Sequence, residues 1–165
     1  MTKIISHPKI YSLLSLGVSD TIKIGKAIAK HLNKGDIVCL FGNLGAGKTV
    51  LVKGIAEGLG IKRNEIISPT FVLIHEYKRD IPLYHFDLYR LGNPKDILGL
   101  GYEEYFFNDG ITVIEWAKRL KYLLPGEFLK IELLIKTDSE RLFKLRAFGR
   151  HYQELLKNIY ENIRH

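Results

Sequence analysis

Apolar residues recur along this chain with two different periods, and the switches between them outline its architecture. Tyr11-Ser12-Leu13-Leu14-Ser15-Leu16 reads as a first strand. After it, Ile24, Ile28 and Leu32 share one face of a helix that Ser19 or Asp20 would cap and Gly35 would stop. Asp36-Ile37-Val38-Cys39-Leu40-Phe41 is a short apolar strand, and Thr49 to Ala56 reads as a helix closed by Gly58 and Gly60. Ser68-Pro69-Thr70 is a loop, because a residue before proline avoids helical geometry. Phe71 to Tyr77 and Leu83-Tyr84-His85-Phe86-Asp87 are strands separated by a turn at Ile81-Pro82. Gly92-Asn93-Pro94 opens a loop, short helical pieces run to Phe107, and Asn108-Asp109-Gly110 is a strong turn signal. Ile111-Thr112-Val113-Ile114-Glu115-Trp116 has the composition of a buried strand.

The last third changes character. Leu129, Ile131, Leu133 and Ile135 alternate with Lys130, Glu132, Leu134 and Lys136, Asp138-Ser139 makes a turn, and Phe143, Leu145 and Ala147 alternate again. That is an antiparallel hairpin. A final helix carries Tyr152, Leu155, Leu156, Ile159, Tyr160 and Ile163 on one stripe. The pattern predicts an α/β fold: a mainly parallel sheet flanked by helices, extended by an antiparallel C-terminal hairpin. With no repeat, linker or low-complexity segment in its 165 residues, it is most simply one domain over 1–165.

Composition narrows the function classes. The chain is 46% hydrophobic and 26% charged, ordinary for a globular protein, and no apolar run reaches membrane-spanning length. The first eight residues lack the apolar core of a signal peptide, and the single cysteine, Cys39, falls in a predicted core strand. Both features fit a reducing cytoplasm, and one cysteine leaves no zinc cluster. Of the formal charge of +7, residues 118–165 carry +5. Such a distribution serves either a solvated basic surface or a face turned to RNA or an acidic protein.

The chemistry concentrates at Gly42-Asn43-Leu44-Gly45-Ala46-Gly47-Lys48-Thr49. This is G-x-x-x-x-G-K-[ST], the phosphate-binding P-loop, and it stands between a predicted strand and a predicted helix as the motif requires. Its glycines let successive N–H groups face one anion, and the helix N-terminus adds a favourable field. Lys48 would reach the β- and γ-phosphates and the Thr49 hydroxyl would ligate Mg²⁺. The fold expected is therefore P-loop NTPase-like. Further oxygen ligands for Mg²⁺ are usually acids at the ends of neighbouring strands. Asp87 and Glu115 each end an apolar strand, where an unpaired charge is costly. Their alternative is an exposed strand-end carboxylate, or an ion pair with Arg90 or Arg119. Thr70 fits either a γ-phosphate-sensing loop or a structural turn. Asn93-Pro94-Lys95-Asp96 only approximates a guanine-specificity motif, with Lys one position late, and His75 and His85 lack metal-ligand spacing. His85, inside an apolar strand, reads as a hydrogen-bonded core residue.

Four pieces together resemble the TsaE (YjeE) family of P-loop ATPases: Leu40-Phe41-Gly42 through Thr49, Ser68-Pro69-Thr70-Phe71, Tyr84-His85-Phe86-Asp87-Leu88-Tyr89-Arg90-Leu91, and Ile114-Glu115-Trp116. The P-loop is shared by many families, whereas the Tyr-His-Phe-Asp-Leu-Tyr-Arg-Leu block with Glu-Trp downstream is much more specific. The resemblance runs from about Leu16 to Gly149. It implies an ATP-binding subunit required for threonylcarbamoyladenosine formation in tRNA, associating with the TsaB–TsaD heterodimer and resetting or driving it between turnovers. It also implies site roles. Gly42, Asn43, Leu44, Gly45, Ala46, Gly47, Lys48 and Thr49 would cradle the phosphates, Thr49 and Glu115 would hold Mg²⁺, and Asp87 would be a second acid for hydrolysis. Thr70 would belong to a switch-like loop, Trp116 would help present the site to the partner, and Val18 and Arg141 would border the adenine. Asn43 departs from the family, which usually has Asp there. Two other functions use the same loop: a small-molecule kinase, for which no compact Arg-rich lid is evident, and a nucleotide-gated binding module with negligible hydrolysis, which Asn43 keeps in view.

Overall fold

Alternating inward-facing residues and short loops bring seven strands into a single sheet. The computed structural model describes residues 9–67, 73–106 and 109–164. In chain order the elements are β1 (Ile10–Ser15), α1 (Val18–Ala29), β2 (Ile37–Phe41), α2 (Lys48–Gly58), β3 (Ile74–Tyr77), β4 (Leu83–Asp87), α3 (Pro94–Leu98), α4 (Glu103–Phe106), β5 (Ile111–Glu115), β6 (Phe128–Ile135), β7 (Arg141–Phe148) and α5 (Arg150–Arg164). Two 3-10 segments, Arg63–Glu65 and Ala117–Leu123, complete the list. Residues 68–72, including Thr70, lie outside the described residues, as do 107 and 108.

The sheet order is β1-β7-β6-β2-β5-β4-β3. Its centre is parallel: β2 pairs with β6 on one side and β5 on the other, and β5 pairs with β4. Both flanks are antiparallel, with β6–β7 and β7–β1 on one side and β3–β4 on the other. The parallel part is thus confined to four central strands, and the first strand completes the antiparallel flank instead of joining the parallel core. Ile37, Val38, Cys39 and Leu40 of β2 and all five residues of β5 are buried, as expected for strands covered on both faces. On one face Ile28 of α1, Leu51 and Ile55 of α2 and Leu155 and Ile159 of α5 pack onto Val38, Val113, Ile131 and Phe143. On the other face Ile97, Phe106 and Leu120 pack onto Cys39, Phe86 and Ile114. Burial pushes the Cys39 thiol far up, so it is a small apolar filler.

Several element ends differ from the sequence reading. α1 starts at Val18 with Gly17 at the cap position and no side-chain cap. Asp20 instead sits in the first turn, where its carboxylate accepts from the Leu16 N–H at 3.1 Å. The helix also ends at Ala29, earlier than Leu32. The hairpin turn falls where Asp138-Ser139 suggests, with Ile135 opposite Arg141. Some basic residues of the last third lie on aromatic faces: Lys130 over Phe41, Arg146 over Phe148 and Arg164 over Tyr160. No helix among the described residues is long and apolar enough to cross a membrane.

The helices α1 and α2 run parallel and approach each other closely. A Cβ on Gly25 would lie 2.8 Å from the Gly54 backbone, one on Gly54 would lie 2.6 Å from the Ile22 carbonyl oxygen, and one on Gly58 would lie 2.6 Å from the Ala29 Cβ. The two backbones therefore touch, and α2 is set at one depth against the sheet. Gly54→Ala would force the helices apart and cost roughly 1–3 kcal/mol. Gly92 has open space around it, so Gly92→Ala is expected to stay within about 0.5 kcal/mol of the parent. Urea unfolding of both variants checks the contrast, and equal stabilities would contradict the packing.

Candidate functional site

Parallel strands aim their C-terminal ends at one edge of the sheet, and ligands of such folds bind there. β2 runs directly into the P-loop, and α2 leaves it. Gly42 follows β2 where the chain passes β6, and a Cβ there would come within 2.8 Å of the Leu133 carbonyl oxygen. Gly47, at the cap position of α2, has the left-handed conformation (φ 96°, ψ 20°) that turns the loop into the helix. With no side chain capping α2, its first N–H groups are left for an outside acceptor.

Over this edge lies a cleft of about 470 Å³. Gly47, Lys48, Thr49, Asp87, Glu115 and Trp116 are among its lining residues, with Arg90 and Tyr89 also present. Asp87 and Glu115 are opposite each other across the β4–β5 pair. The Thr49 hydroxyl donates to Glu115 Oε2 at 3.1 Å, and His85 Nε2 lies 2.9 Å from Glu115 Oε1. Glu115 is only 2% exposed, and each of its oxygens has its own partner.

Lys48 is turned back on its own loop. Its ammonium donates to the Gly42 carbonyl at 2.7 Å and the Asn43 carbonyl at 2.9 Å, and it sits 4.0 Å from the centre of the Trp116 ring. Burial lowers its pKa, opposed by the charges of Glu115 and Asp87. Trp116 holds a left-handed backbone (φ 59°, ψ 38°), unusual for a large side chain. That bend ends β5 and carries the indole onto Lys48 and Tyr89, whose ring centre is 4.8 Å away. Asp87 Oδ1 accepts the Tyr89 N–H at 3.0 Å. Burial raises the Asp87 pKa, the Tyr89 bond opposes that shift, and the Glu115 charge adds to it.

The P-loop, Asp87, Glu115 and Trp116 are thus brought together as the sequence suggests. Arg141 also reaches the P-loop, donating through Nη2 to the Gly45 carbonyl at 3.1 Å. Its Nη1 ties down the hairpin turn through the Thr137 and Glu140 carbonyls, both at 2.9 Å. Val18 stands at the same end of the sheet, three residues beyond Ser15, which pairs with Arg141. It is 67% exposed and lies outside the cleft lining. Two residues went unrecognised in the sequence as parts of this site. Tyr89 supplies both an amide for Asp87 and a ring for Trp116. His85 is a hydrogen-bonded core histidine, as read, but its partner is the acid of the site. The available signal was parity, since His85 and Asp87 are two apart on one strand and face the same side.

The donor set fits a magnesium–phosphate pair. Thr49 Oγ1 and Glu115 Oε2 are hard oxygens within 3.1 Å of each other, and Mg²⁺ takes one or two protein oxygens beside phosphate and water. The uncapped start of α2 suits the phosphates.

Comparison with known proteins agrees with the specific sequence blocks. The family model described as "Threonylcarbamoyl adenosine biosynthesis protein TsaE" matches residues 17–143. The chain is 42% identical over 141 residues to the tRNA threonylcarbamoyladenosine biosynthesis protein TsaE of Bacillus subtilis, covering 85% of this chain and 87% of that one. It is 41% identical over 128 residues to the TsaE of Treponema pallidum, covering 78% and 94%. The crystal structure of Bacillus subtilis YdiB superposes with a TM-score of 0.80 at 36% identity, over 94% of this chain and 98% of that one. On these matches, and with the P-loop, the strand-end acids and the Glu-Trp pair in one cleft, the chain belongs to the TsaE family.

Proposed function

We propose that this protein is the Mg²⁺-dependent ATP-binding and ATP-hydrolysing subunit of the cytoplasmic machinery that forms threonylcarbamoyladenosine in tRNA. The names of its relatives support the pathway. The observation that carries the chemistry is the cluster of Lys48, Thr49, Glu115 and Asp87 at the uncapped start of α2. Its action follows from what each group can do. The loop N–H groups and the helix end bind phosphate oxygens, and Lys48 exchanges the Gly42 and Asn43 carbonyls for them. The Thr49 hydroxyl keeps its proton on Glu115 Oε2 while offering its lone pair to a cation. Bound Mg²⁺ would neutralise charge building on the phosphates. Asp87 Oδ1 is held by the Tyr89 amide, which leaves Oδ2 to orient a water and receive its proton. The raised pKa of Asp87 suits that role. Trp116, over Lys48, excludes solvent from one side of the cleft.

TsaB and TsaD homologues are the partners in this reading, with tRNA the substrate of the assembly. Hydrolysis is expected to be slow alone and to rise when the two partner proteins are added; no binding and no change in rate would refute the assignment. If nucleotide alters partner affinity without phosphate release, the protein is a gated binding module. A phosphorylated small-molecule product would make it a kinase. Lys48→Ala should weaken ADP binding at least tenfold, as followed by the fluorescence of Trp116, the single tryptophan. Unchanged affinity would remove Lys48 from the site.

Asp87 gives a pH test. Its folded pKa is raised above the unfolded value, so its ionised form penalises folding above the folded pKa, and the penalty vanishes below the unfolded one. Asp87→Asn should therefore raise Tm near pH 7.5 and lose that gain as pH falls through the carboxylate range. The same variant should hydrolyse ATP at least tenfold more slowly. A Tm gain that persists at low pH would assign the effect to packing.

A further inference from the structure

His85 is fully buried in β4, between Tyr84 and Phe86. Its Nε2 is 2.9 Å from Glu115 Oε1, and a carboxylate only accepts, so Nε2 carries the hydrogen and donates it. Among the described residues Nδ1 has no hydrogen-bond partner. A buried polar atom without a partner costs stability, and an apolar side chain in the same space would avoid that cost. Packing therefore does not account for a histidine here; the bond to Glu115 does. The register explains how it forms. Asp87 stands opposite Glu115, and His85 stands opposite Val113, so His85 reaches Glu115 along the diagonal on the face that α2 covers. His75, opposite His85 on β3, is not in this contact.

We propose that His85 is a positioning residue for the cation site. It claims Oε1 of Glu115 and so turns Oε2 toward Thr49 and the cation that Thr49 and Glu115 would share. Its bond fixes the carboxylate plane, which three rotatable side-chain bonds would otherwise leave free. The inference rests on the nucleotide-binding reading above. It concerns the cation's share of binding, not the phosphate's, because His85 does not itself line the cleft and its hydrogen bond goes to Glu115.

The test uses the whole chain and ADP, so that no chemistry is involved. ADP affinity is measured with Mg²⁺ and with EDTA by Trp116 fluorescence, and the ratio of the two affinities reports cation binding. In His85→Leu that ratio should fall roughly tenfold, the usual loss for an outer partner of a metal ligand, while affinity in EDTA stays within about twofold. In His85→Gln, whose amide can still donate to Oε1, the ratio should largely recover. A parental ratio in His85→Leu, or equal losses in the Leu and Gln variants, would overturn the proposal. If His85→Leu does not fold, His85→Asn replaces it, because its shorter amide cannot reach Glu115; Asn and Gln behaving alike would again overturn the proposal. Parent protein that binds no ADP would sink the nucleotide reading itself and this inference with it, whereas parent protein that binds ADP equally with and without Mg²⁺ would overturn this inference alone.

Discussion

A carboxylate sealed at the end of a central strand is the constraint around which this molecule is arranged. Glu115 closes β5, whose five residues are all buried. An ionised group in that position is tolerated only if its oxygens are satisfied. They are satisfied by His85 from β4 and Thr49 from α2, residues 30 and 66 positions away in the chain. One acid thereby ties the neighbouring strand and the P-loop helix to the same point. The cleft follows from that tie, because the helix start, the loop and the second acid have little freedom once Glu115 is placed.

The charges in the cleft are balanced before any ligand arrives. Lys48 faces two carboxylates and rests on two carbonyls and an aromatic ring. Such a site is not a bare cation awaiting an anion. A phosphate bound as proposed would replace contacts already made, and its net gain would be the difference between two well-satisfied states. Asp87, half-buried and repelled by Glu115, is the least comfortable group in the cleft, and that discomfort is what favours a proton there.

Much of this was legible along the chain. The P-loop, the two acids and the hairpin announced themselves through spacing and alternation, because each depends on residues close in sequence or on a strict period. The pairing of strands was less accessible. β1 was readable as a strand, but nothing local says that Ser15 lies opposite Arg141. His85 shows the same limit: its burial was evident, its partner was not, since the partner depends on the β4–β5 register. Gly25 and Gly54 carried no readable signal, and Gly58 was read only as a helix stop, because a glycine in a helix looks like a weak helix residue until the neighbouring helix is in place. The left-handed Trp116 was likewise invisible, being imposed by the sharp exit from β5.

That glycine seam gives the molecule a mechanical property. Helices separated by side chains can slide a little, because the intervening layer yields as rotamers adjust. Main chains in direct contact have no such cushion, and close-packed interiors transmit strain. Because α1 and α2 run parallel, the exposed Val18 at the head of one and Lys48 at the head of the other belong to a single stiff wedge. A displacement at the head of α2 would therefore be carried to the exposed head of α1.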